Sequence, residues 1–66
     1  MSNEDHVKLY ALGKAAAENN EPGAYILNDE AALIIDDYER GSSEWHEAIG
    51  EFVSGFATER LKRMGK

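Results

Sequence analysis

With 66 residues and a net charge of −6, the chain is expected to form one small acidic domain. It holds no Cys, which excludes disulfides and thiolate metal sites, and no apolar run of about 18 residues, which excludes a membrane-spanning helix. A domain this short buries only about 60% of the surface its unfolded chain exposes, so without staples it leans on tight helix packing or self-association.

The first element expected is a helix over about residues 4–18. Asn3 is placed to cap it, with Glu4 and Asp5 at its positive end. His6 at the third position after that cap leaves the capping box incomplete. The run Ala15-Ala16-Ala17 favours helix, whereas Gly13 costs about 1 kcal/mol relative to Ala. Val7, Leu9, Tyr10 and Leu12 are spread around the helix, so they define no clear buried face.

Asn19-Asn20-Glu21-Pro22-Gly23 is a break, with either Asn suited to a left-handed cap. Ala24-Tyr25-Ile26-Leu27 fits a short strand or an extended lead-in to a helix. No second strand is in sight to pair with it, so the lead-in is the expectation. A helix starting at Pro22 is the alternative. Asn28 then caps a second helix over about 29–39, with Asp29 and Glu30 in its first turn and a weak staple between Leu27 and Ala32. Leu27, Ala31, Ile34, Ile35 and Tyr38 make its apolar face, and Leu33 lies off it. Asp36, Asp37 and Glu39 oppose the helix dipole at the far end. Gly41 is expected to end this helix in the left-handed conformation.

The third helix, about 43–64, carries the strongest signal. Ser42 or Ser43 caps it, Glu44 and Glu47 follow, and basic residues and Gly65 end it. Trp45, Ile49, Phe52, Val53, Phe56 and Arg60 form a stripe at helical period, widened by Ala48, Ala57, Leu61 and Met64. About 20 helical residues span roughly 30 Å, more than two shorter helices comfortably cover. Gly50 and Ser54, four apart beside the stripe, are expected to allow close approach or merely to be tolerated.

Motifs for chemistry are thin. His46-Glu47 begins a zinc-protease pattern, but Gly50 stands where its second His belongs. The carboxylate pairs are adjacent in sequence and point apart, no calcium loop is present, and no Gly-rich loop fits a phosphate. No cofactor, no metal site and no enzymatic activity are expected.

Charge is unevenly placed. Residues 1–59 carry all 13 acidic groups against Lys8, Lys14 and Arg40, a net −10, whereas Arg60, Lys62, Arg63 and Lys66 give the last seven residues +4. Direct nucleic-acid binding is therefore not expected. The acidic, polar N-terminus does not resemble a secretory leader, and a cytoplasmic location is the expectation.

The fold expected is a small all-α three-helix domain, assembled as a homo-oligomer, such as a homodimer, through the third helix. The function expected is a non-enzymatic interaction module, a regulator or inhibitor, docking on a protein partner or itself through Trp45, Ile49, Phe52, Val53 and Phe56. The alternative is an acidic nucleic-acid mimic that blocks a basic groove with Asp29, Glu30, Asp36, Asp37 and Glu39.

Overall fold

A computed structural model describes residues 2–65. The order is helix α1 (Asn3–Glu18), a 3-10 turn (Tyr25–Leu27), helix α2 (Asp29–Ile35) and helix α3 (Ser43–Met64), with no strand among the described residues. No helix among them is long and apolar enough to cross a membrane.

Each helix starts on a side-chain cap, because the first amides of a helix have no partner within it. The Ser42 hydroxyl accepts from the Trp45 amide at 3.1 Å, and the Asn28 carboxamide oxygen accepts from the Ala31 amide at 3.1 Å. At α1 the cap is Ser2 rather than Asn3. Ser2 has extended backbone and accepts from the Asp5 amide at 3.2 Å, while Asn3 is already helical. The end of α1 is closed by Asn20 at φ 56°, and the Glu21 amide reaches back to the Ala16 carbonyl at 2.8 Å.

The middle of the chain departs from expectation in three places. Residues 25–27 are neither strand nor extended lead-in but one 3-10 turn, closed by the Asn28 amide on the Tyr25 carbonyl at 2.9 Å. Leu27 is 67% exposed, so it contributes little to the apolar face of α2. The second helix stops at Ile35, not near 39. Beyond it the Asp37 and Tyr38 amides bond to the carbonyls three residues back, at 3.3 and 3.1 Å, and the chain turns away. Asp36 and Asp37 oppose the dipole there, and Tyr38 finds a better partner off the helix axis. Gly41, at φ 89°, therefore serves the turn in which the Ser42 amide meets the Glu39 carbonyl at 3.0 Å, not the end of α2.

The helices run up, down and up. His6 faces Glu47 and Glu51, and further along α1 the Tyr10–Gly13 segment meets Phe52–Phe56, so α1 and α3 are parallel. The start of α2 lies near Leu12 and Asn19, and Tyr38 beyond its end reaches Asp5, so α2 runs back. The α1–α3 pair is the principal interface. At about 33 Å, α3 spans most of the molecule's 38 Å long axis.

The core consists of Leu9, Ala16, Ala31, Ile35, Ala48 and Phe52, with Leu12, Tyr25, Ile34, Tyr38, Trp45, Ile49 and Phe56 packed around it. Two glycines set its geometry. A Cβ on Gly13 would land on the Phe52 carbonyl oxygen, and one on Gly55 would land on the Tyr10 carbonyl oxygen. The two long helices thus touch backbone to backbone. Gly50, for which the sequence allows close approach or mere tolerance, faces open space.

This contact rotates α3 relative to its apolar stripe. The buried line is Ala48, Phe52, Gly55 and Glu59, at steps of four, three and four. Glu59 is carried into it, and the exposed Arg63 donates from Nε to its carboxylate at 3.4 Å.

Tyr38 ties the chain beyond α2 to the start of α1. Its hydroxyl donates to the Asp5 carboxylate at 2.5 Å. That bond, with partial burial and the charges of Asp5 and Glu44, pushes the phenol up from 10 to about 12. A pKa raised in the folded state means stability present below pH 10 and lost as pH climbs from 10 towards 12. We expect Tyr38→Phe to flatten the fall in unfolding midpoint across that window. Ultraviolet titration of the phenols in wild type and variant would check it. Equal alkaline losses in both would contradict the assignment.

Candidate functional site

The residues expected to dock fall on two sides. Phe52 is fully buried in the domain's own core, and Trp45, Ile49 and Phe56 pack against that core. Trp45 stands edge-on to Tyr25, with ring centroids 6.5 Å apart, and a Cβ on Gly23 would meet the Phe56 ring at 2.8 Å. Four of the five are therefore engaged by α1, α2 and the 3-10 turn. The sequence overstated how much of the stripe was left over, because it could not credit α2 and the turn with covering this side. Val53 alone of the five remains outward, 45% exposed.

A different line of α3 is uncovered. Gly50, Val53, Ala57, Leu61 and Met64 follow at steps of three, four, four and three, so they share one face, and all are exposed. Leu61 is 67% and Met64 72% exposed. From Gly50 to Leu61 the face lies opposite the α1 contact, and at its end Met64 borders a hollow with Ala17, Asn20 and Glu21. It begins at the open Gly50 and runs about 21 Å to Met64. By periodicity alone Ala57, Leu61 and Met64 widen the core stripe. Their separation from it follows from where Gly55 meets α1.

Charge flanks this face unevenly. Near its start the Glu51 carboxylate accepts from Nδ1 of the His6 ring at 2.7 Å, while Glu47 lies 3.8 Å from the same ring and is more than half exposed. Near its end stand Arg60, Lys62 and Arg63. The Arg60 guanidinium lies 5.7 Å from the Phe56 ring centroid, and Arg63 is held by Glu59.

The acidic candidates Asp29, Glu30, Asp36, Asp37 and Glu39 are all exposed. Leu33, 74% exposed, sits among four of them, one turn after Asp29 and Glu30 and one turn before Asp36 and Asp37. His46 is exposed against the edge of Trp45. Among the described residues, no group of three or more His, Asp or Glu side chains is gathered as metal ligands would be.

No protein-family model, curated protein or solved structure matches the chain.

Proposed function

We propose that the chain is a small non-enzymatic protein-interaction module, a regulator or inhibitor, that docks through the outer face of α3. The observation that carries this reading is the continuous exposed line of Val53, Ala57, Leu61 and Met64 on a helix whose other side is already packed. Apolar side chains scattered singly on a surface need no explanation, but a line of them along one helix matches the helix-in-groove or helix-on-helix mode of recognition. The docking residues expected from sequence are thus replaced, apart from Val53, by their outward neighbours.

Leu61→Asp tests this. Leu61 is mostly exposed, so the variant should keep wild-type helicity by circular dichroism while losing association with itself or with retained proteins. Undiminished association of a folded variant would refute the reading.

The mimic reading receives less support. A run of carboxylates that imitates phosphates has no use for Leu33 standing bare among them. Binding by mimicry weakens steeply with salt, whereas binding through the α3 face should change little between low and high ionic strength.

A further inference from the structure

Resting on the docking reading, we infer that the occupant of the outer α3 face is a second copy of this chain, its α3 lying antiparallel to the first across a two-fold axis at Ala57.

Side-chain size supports that register. With Ala57 opposite its own copy, Val53 falls opposite Leu61 and Gly50 falls opposite Met64. The largest exposed side chain of the line thus meets a glycine with open space around it. Ala57 on the axis and Ser54 beside it are small enough for the helices to approach closely. A two-fold contact uses one patch twice, and this line is self-complementary in that sense.

Charge selects the antiparallel direction. The early part of α3 carries Glu44, Glu47 and Glu51, the last of them bound to His6 of α1, and the late part carries Arg60, Lys62 and Arg63, the last of them bound to the buried Glu59. Antiparallel pairing sets the acidic half of one helix beside the basic half of the other. Parallel pairing would align acid with acid and base with base, which is unfavourable at helix–helix contacts. The same polarity explains why the only basic segment of an acidic chain lies at one end of this helix.

Area sets the strength. A standard interface takes about 800 Å² from each partner, a large share of a chain exposing 4475 Å² in all. One helix face of about 21 Å supplies less, so the dimer belongs with the weak, transient interfaces.

The absence of native Cys gives a clean test on the full chain. Ala57→Cys places a thiol on the axis, and Ala11→Cys places one on the exposed face of α1 as a control. Under mild oxidation Ala57→Cys should form covalent dimer at least about tenfold faster than Ala11→Cys, since a disulfide needs Cα atoms within about 7 Å. Sedimentation of the wild type should show concentration-dependent dimer that Leu61→Asp abolishes. A wild type monomeric to about 1 mM, with both Cys variants oxidising at one rate, overturns the inference. In that case the docking reading stands only if Leu61→Asp still abolishes retention of another protein. A dimer unaffected by Leu61→Asp overturns both.

Discussion

Gly55→Ala should cost roughly 3 kcal/mol or more, and unfold much of the protein at room temperature. The added Cβ would clash with the Tyr10 carbonyl oxygen and lie 2.9 Å from its carbon. Neither atom belongs to a flexible side chain, so α1 and α3 would have to move apart along their whole contact. A chain of 66 residues has on the order of 3–10 kcal/mol in total. Each kilocalorie lost lowers the melting temperature by about 4–8 °C at this size. Thermal unfolding followed by circular dichroism measures the effect. Gly13→Ala, aimed at the Phe52 carbonyl, should behave alike. Gly50→Ala is the counterexample within the same helix. It meets nothing, so at concentrations where the chain is monomeric it should stabilise by about 0.5–1 kcal/mol through helix propensity. Equal effects at Gly50 and Gly55 would contradict the packing described.

Phe52→Ala should be the most damaging large-to-small change, at about 3–5 kcal/mol. Phe52 is the largest fully buried side chain and sits among Leu9, Ile35 and Ala48. Removing its ring leaves a cavity that these neighbours, held by their own packing, cannot fill. Loss of association in this variant would therefore report unfolding, not a lost interface. Denaturant unfolding of Phe52→Ala beside Leu61→Asp separates the two. The first should lose most of its stability and the second almost none. A Phe52→Ala protein as stable as wild type would show that Phe52 does not hold the core.

Much of the fold was legible in local chemistry. Ala-rich sequence in α1, Asn28 and Ser42 as caps, and Asn20 as a left-handed stop are decisions made within a turn or two of the chain. The length of α3 was legible for the same reason. The end of α2 was not, because Tyr38 leaves the helix for a partner 33 residues away, the Asp5 carboxylate. Residues 25–27 were misread because four apolar residues carry no period long enough to separate strand from turn.

The candidate site was half legible. Periodicity singled out α3 and its apolar stripe but not which side of the helix stays exposed. A hydrophobicity pattern ranks positions by their own side chains, and Gly13 and Gly55 have none. Their meaning lies in the backbone each admits, which is another helix. The sequence by itself determined an all-helical acidic chain with a long, charge-polarised third helix, since those properties are local or additive. Only the tertiary structure decided which side of that helix faces inward. Backbone contact at Gly13 and Gly55 turns Phe52 and Glu59 into the domain and leaves Val53, Ala57, Leu61 and Met64 outside it.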